Sequence, residues 1–170
     1  MSIKIFGAVL VVSGCGGIGF KLAASHLCEE KSLRNLLSIL DYIECELQYR
    51  LTPLPVLCRR AAEQSAGGIS KVFDRLATEL EAQTSPNVEH CMKIALLHAK
   101  NIPRLTRESF ELLGRSLGKF DIEGQLKELD AVRQECRRNL EALSQNRDIR
   151  LRTYQTLGLC IGAAIAILLF

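Results

Sequence analysis

"VVSGCGGIGF", residues 11–20, is the stretch on which the fold turns. Gly14, Gly16 and Gly19 fit G-x-G-x-x-G, an apolar run able to form a strand precedes them, and Asp41 follows. That combination is the dinucleotide fingerprint, in which glycines let the backbone approach a pyrophosphate and an acid reaches the ribose. The fingerprint needs a context of strand, tight turn and helix, with a second strand ending at the acid.

The residues that follow the glycines deny it that context. Across 26–51, Leu33, Leu36, Leu37, Leu40, Ile43, Leu47 and Leu51 recur at steps of three and four, with Glu29, Glu30, Arg34, Asp41, Glu44 and Glu46 off or beside the stripe. This is the period of an amphipathic helix, and no Gly or Pro interrupts it before Pro53. Asp41 therefore sits on a helix, not at the end of a strand. At 170 residues the chain is also short for the two-part construction of a dehydrogenase.

The glycines take a second meaning from the charges around them. Between Lys4 and Lys21 runs the uncharged "IFGAVLVVSGCGGIGF", and after Arg152 runs "TYQTLGLCIGAAIAILLF" to residue 170. As helices these would be about 24 and 27 Å long, close to the thickness of a bilayer core. The sequence predicts a transmembrane helix at each end, over 3–22 and 153–170, around a helical bundle over 23–152. Ser13 with Gly17, and Cys15 with Gly19, stand four apart and would line one helix face with small residues for close helix packing. Arg147, Arg150 and Arg152 before the last run, and Lys21, Lys31 and Arg34 after the first, place the middle in the cytoplasm by the positive-inside rule.

The middle is helical throughout. Thr52 is expected to cap a short helix with Pro53 at its first position, and Gly67-Gly68 to end it. A third helix, 69–83, carries Val72, Phe73, Leu76, Ala77 and Leu80. Ser85 is expected to cap a fourth that opens at Pro86 and runs to Asn101. The next, 104–117, buries Phe110, Leu113 and Leu117 and stops at Gly118. Asp121 then caps a long helix with Ile122, Leu126, Leu129, Cys136, Leu140 and Leu143 on its stripe. Gly114 and Gly118, four apart, offer either a close helix contact or, at Gly118, a helix stop. No pair of strand patterns is present, so the fold class is all-α: a helical bundle of about five to six helices with a transmembrane helix at each end.

Composition excludes several activities. Of the 22 Lys and Arg and 19 Asp and Glu, five basic and one acidic residue border the apolar runs, which leaves 17 against 18 from Leu22 to Asn146. A neutral middle is not a phosphate-tracking surface, so no nucleic-acid partner is expected. The seven cysteines form no C-x-x-C pair and read as free thiols in a reducing compartment. His26, His90 and His98 are too dispersed for a metal site, and no nucleophile, base and orienting group can be assembled. No catalytic residue, metal or cofactor is proposed. Arg107, Glu111 and Arg115 at successive i, i+4 positions form a solvated face. One alternative survives at the amino terminus: "VSGC", Val12–Cys15, resembles the lipobox of bacterial lipoproteins, which would make the chain an exported lipoprotein anchored at Cys15.

Four stretches together, "GAVLVVSGCGGIGF" (7–20), "ELQYRLTPLP" (46–55), "LGRSLGKFDIEGQ" (113–125) and "YQTLGLCIGAAIAILLF" (154–170), resemble the stage III sporulation protein AB family of endospore-forming bacteria over essentially the whole chain. The resemblance implies a membrane-anchored all-helical protein. Its soluble part would be similar to the cytoplasmic domain of the inner-membrane platform protein of type II secretion and type IV pilus machines. It implies a place in the channel between mother cell and forespore, in the outer forespore membrane with the bundle in the mother-cell cytoplasm. The implied partners are a cytoplasmic secretion-type ATPase and ring-forming channel components, and homo-oligomerisation stays open. Gly124 departs from expectation, since a helix former belongs in the first turn of the long helix. The two internal motifs are expected to meet at the pole of the bundle far from the membrane, where Arg50, Thr52, Pro53, Arg115, Lys119 and Asp121 form the candidate partner-binding set and the cations face an acidic partner surface.

Overall fold

Leu33, Leu36, Leu40 and Ile43, each buried to within 1% of completely, lie on one side of a single helix that runs Ser2–Tyr49. This helix, α1, is one continuous element: the glycines at 14–19 fall inside it rather than in a strand-to-helix turn. The computed structural model describes the backbone of residues 2–50, 52–83, 85–99, 101–118 and 121–145, and of these the side chains from Ser25 onward except His26. After α1 come α2 (Leu54–Gln64), α3 (Gly67–Glu81), α4 (Val88–His98), α5 (Arg104–Ser116) and α6 (Ile122–Gln145). Among the described residues there is no strand, so the nucleotide fingerprint has no sheet to stand on. Asp41 is exposed on α1 and pairs with Arg133.

The chain divides into two compact units, Glu29–Glu141 and Met1–Cys28 with Ala142–Phe170. The Glu29–Glu141 unit holds the core described here. In the other, α1 supplies the helical backbone up to Cys28 and α6 the stretch from Ala142 to Gln145. Among the described residues no helix is long and apolar enough to cross a membrane. The expected span 153–170 lies outside the described residues, and over 3–22 only the helical backbone is described.

Each helix of the Glu29–Glu141 unit contributes one apolar face. Leu57, Cys58 and Ala61 come from α2, Val72, Phe73, Leu76 and Ala77 from α3, and Cys91, Met92, Ala95 and Leu96 from α4. Phe110 and Leu113 come from α5, and Leu129, Val132 and Cys136 from α6. Helices α2 and α3, α3 and α4, and α4 and α5 pack in sequence order, as short connections dictate. Phe73 and Phe110 meet edge to face at 5.2 Å and 66°, joining α3 to α5 across the core. The stripes follow the sequence pattern with some departures: Leu37 and Leu80, expected on the stripes, are only half-buried, and Val132, outside the pattern, is buried. Ile39 is buried although the pattern passes over it, and Ile122, expected on the α6 stripe, is 46% exposed because it stands at the first position of its helix.

Three turns depart from the expected caps for one reason: their hydroxyls and carbonyls have other partners. Thr52 does not cap α2, because its Oγ1 donates to Glu46 Oε2 at 2.8 Å; Pro53 takes the cap position, outside the helix. Gly67-Gly68 do not close α2. Ser65 Oγ and Ser70 Oγ satisfy the Ala62 carbonyl near its end, so the glycines open α3 instead. Ser85 Oγ accepts from Asn87 N–H, and Asn87 becomes the cap of α4 by accepting from Glu89 N–H at 2.9 Å.

At the end of α5 the sequence expectation holds. Gly118 follows the helix at φ +80°, the left-handed region that only glycine enters freely. Gly114 serves the other purpose foreseen for the pair. A Cβ there would lie 2.7 Å from Met92 Cβ, so its absence lets α5 approach α4.

Polar ties join helices that the apolar faces bring together. Glu29 Oε1 accepts from Leu105 N–H at 2.7 Å, so α1 caps the start of α5, which has no side-chain cap of its own. Arg133 of α6 pairs with Asp41 and Glu44 of α1 and with Asp130 of its own helix; these carboxylates, Asp130 first, hold its guanidinium above its ordinary pKa. Arg59 ties α2 to Asp74 and Glu81 of α3.

Truncating the core stripe tests this packing. Leu40→Ala and Leu129→Ala should each lower stability by about 2–5 kcal/mol in urea unfolding followed by circular dichroism. Unchanged midpoints for both would place these faces in solvent.

Candidate functional site

The candidate residues gather in three places. The first is the corner where α1 turns into α2. Glu46, one turn before the end of α1, has a side chain only 8% exposed; it accepts hydrogen bonds from Thr52 Oγ1 at 2.8 Å and Arg60 Nη1 at 3.4 Å and forms an ion pair with Arg50 Nη1 at 3.4 Å. The carboxylate sits near the negative end of the helix dipole, where an anion is disfavoured, and the two guanidiniums offset that cost. Arg50 and Thr52 thus hold one anchor from two sides of the turn, while Pro53 beside them is exposed.

The second place is the α4–α5 contact. Arg115 reaches Glu89 at 3.5 Å, and Lys93 reaches the same oxygen at 2.9 Å. Lys93 first, then the Arg115 charge, holds the Glu89 carboxyl below its usual pKa. The third is the start of α6. Asp121 is the expected N-cap: its Oδ2 accepts from Gly124 N–H at 3.2 Å. A Cβ on residue 124 would stand 2.4 Å from Asp121 Oδ1, the movable end of the capping side chain, so the glycine gives that carboxylate room without being demanded by it.

Among the described residues Arg50 and Thr52 hold to Glu46, Arg115 to Glu89 and Asp121 to the Gly124 N–H, so each group has its own anchor. Lys119 lies outside the described residues, and so do the side chains of Ser13, Cys15, Gly17 and Gly19, whose backbone belongs to α1. Sequence reading missed Arg60, Glu46 as an anchor, and Lys93 with Glu89. A pairing 14 residues apart, such as Arg60 with Glu46, has no periodic signature. The acidic residue of "ELQYRLTPLP" was visible, but its burial was not.

The thiols divide by exposure. Cys28 and Cys45 are exposed, whereas Cys58, Cys91 and Cys136 are buried. Burial pushes Cys58 up to about 12 and raises Cys91 and Cys136 as well. Among the described residues no three His, Cys, Asp or Glu side chains gather closely enough to hold a metal ion.

Fold and site together define an all-α bundle that presents paired cations on fixed helix corners. The chain belongs to the stage III sporulation protein AB family, whose sequence profile matches residues 4–170. The Stage III sporulation protein AB of Bacillus subtilis (strain 168) is 24% identical over 170 residues, covering 98% of this chain and 99% of that protein. A solved structure of a stage III sporulation protein AB superimposes with a TM-score of 0.63 at 20% identity, covering 72% of this chain and 98% of the other. That likeness establishes the shared fold.

Two measurements check the site's local chemistry. Asp121→Ala should lower stability by about 0.5–2 kcal/mol in urea unfolding. An unchanged unfolding midpoint would contradict the cap. In thiol labelling at mildly alkaline pH read by peptide mass spectrometry, Cys28 and Cys45 should react in the folded protein and Cys58, Cys91 and Cys136 only after unfolding. Fast labelling of Cys58 in the native state would contradict its burial.

Proposed function

We propose that the protein is a non-enzymatic, membrane-anchored platform component of the mother cell to forespore channel, whose bundle docks a secretion-type ATPase on the mother-cell side. The observation that carries this reading is the extent of the family match. It runs from residue 4 to residue 170 and so takes in both apolar ends together with the bundle between them. The runs 3–22 and 153–170 act as membrane helices, with Ser13, Cys15, Gly17 and Gly19 on a packing face of the first. Their basic flanks hold the bundle in the cytoplasm. Tethered at both ends of its sequence, the bundle offers the partner ATPase the exposed cations of its helix corners, and Arg50 and Arg115, each more than half exposed, belong to that offer. Such a protein would transmit position and force between the ATPase and the other channel proteins, and no step of it needs a reacting side chain.

The test is fractionation of sporulating cells followed by capture of the full-length chain. It should stay in the membrane pellet through alkaline carbonate extraction, carry an unmodified Cys15 by intact mass, and bring the secretion-type ATPase with it. Recovery in the soluble fraction would overturn the anchoring, and a diacylglyceryl mass on Cys15 would replace it with the exported lipoprotein.

A further inference from the structure

The shared ion pairs of the bundle carry surpluses of charge, and the sign of the surplus changes with place. Arg59 is shared by Asp74 and Glu81, and Arg133 by Asp41, Glu44 and Asp130, so carboxylates outnumber the cation at both. At the α1–α2 corner the ratio inverts, because Arg50 and Arg60 share the single carboxylate of Glu46. Depth separates the charges as well: the Glu46 side chain is 8% exposed, against 67% for Arg50 and 44% for Arg60. The negative charge is sunk, and the positive charges face water.

Each guanidinium carries five N–H donors, and Glu46 engages one nitrogen of each. An acidic side chain arriving from outside can therefore pair with either arginine without displacing Glu46. Beside the two cations stands Tyr49, 75% exposed and the one aromatic among the exposed large apolar side chains described. Val56, 43% exposed, lies in the first turn of α2 just across the bend. Tyr and Arg are the residue types that most often dominate binding energy at protein interfaces. The Glu89 cluster carries the same surplus of one positive charge, with Lys93 and Arg115 on one acid, but its carboxylate is 30% exposed and no exposed aromatic stands in sequence beside it.

We infer that Tyr49, Arg50, Val56 and Arg60 form the docking surface for an acidic, apolar-pocketed face of the partner ATPase. This rests on the platform reading above for the partner's identity, and adds the surface and its chemistry. Carboxylates of the partner pair with the two guanidiniums, and Tyr49 enters an apolar recess between them. Glu46 works from behind. Its charge offsets part of theirs while leaving their other N–H donors open to a partner. Arg60, invisible in the sequence motifs, is as central to the contact as Arg50.

The experiment measures binding of the purified secretion-type ATPase of the same organism to the full-length chain in detergent, at low and high salt, with circular dichroism on every variant. Arg60→Gln and Tyr49→Ala should each weaken binding about tenfold, the effect of losing roughly 1.4 kcal/mol at an interface centre. Arg60→Gln should also flatten the salt dependence, while Tyr49→Ala leaves it unchanged. Glu46→Gln keeps the shape but removes the opposing charge, so its binding should be as tight as wild type or tighter, with a steeper salt dependence. Lys71→Gln, on α3, removes a cation away from the corner and serves as the neutral control. Wild-type affinity for both Arg60→Gln and Tyr49→Ala overturns this inference alone. Absence of wild-type binding overturns the platform reading as well. Tyr49→Ala, a surface change, keeps the test decisive if Glu46→Gln does not fold.

Discussion

One buried carboxylate organises the corner where α1 turns into α2. Glu46 stands at the end of a helix whose dipole repels it, with 8% of its side chain in water, and it is tolerated because Arg50, Thr52 and Arg60 converge on it. Those three residues belong to three successive pieces of chain: the last turn of α1, the bend, and α2. The bond from Thr52 removes a hydroxyl from helix capping, and so sets where α2 begins. The bond from Arg60 holds α2 against α1, and from there α3, α4 and α5 pack each on its predecessor. Removing the carboxylate while keeping the arginines would leave the bend without its tie.

The other polar ties serve the same end by different chemistry. Glu29 closes the start of α5 from α1, and Arg133 fastens α6 to α1. Helices adjacent in sequence are joined mainly by apolar faces, while α1 is also bound by charge to elements far along the chain. A bundle so fastened is suited to hold a surface still, as the proposed platform role requires. That surface differs from its surroundings in having cations in excess and an aromatic in water.

Much of this was legible in residues 26–51 and 104–121. The spacing of Leu33, Leu36, Leu40, Ile43 and Leu47 named the buried face of α1, and Phe110, Leu113 and Leu117 that of α5, because burial follows the helical period closely. Asp121 was legible as a cap because its bond is local, three residues along. What escaped was competition for caps within the turns and pairing across the fold. Thr52, Ser85 and the Gly67-Gly68 pair were each misplaced by a turn residue whose partner lay elsewhere, and Pro53 stands at the cap position rather than inside α2. Of the candidate site, Arg50 and Thr52 share the Glu46 anchor, and Arg115 holds to Glu89. Arg60 and Glu46 were missed because only the folded chain brings α2 back to the end of α1. Gly124, puzzling as a helix residue, gives the Asp121 carboxylate room.

The most direct test of the docking corner is made in living cells. A photo-crosslinking amino acid placed at Tyr49 of the full-length protein, with another at Leu97 on α4 as the comparison, reports which neighbour touches each exposed site during sporulation. If the α1–α2 corner is the platform's contact, irradiation should join position 49, and not position 97, to the secretion-type ATPase. An ATPase adduct at 97 with none at 49 would contradict it.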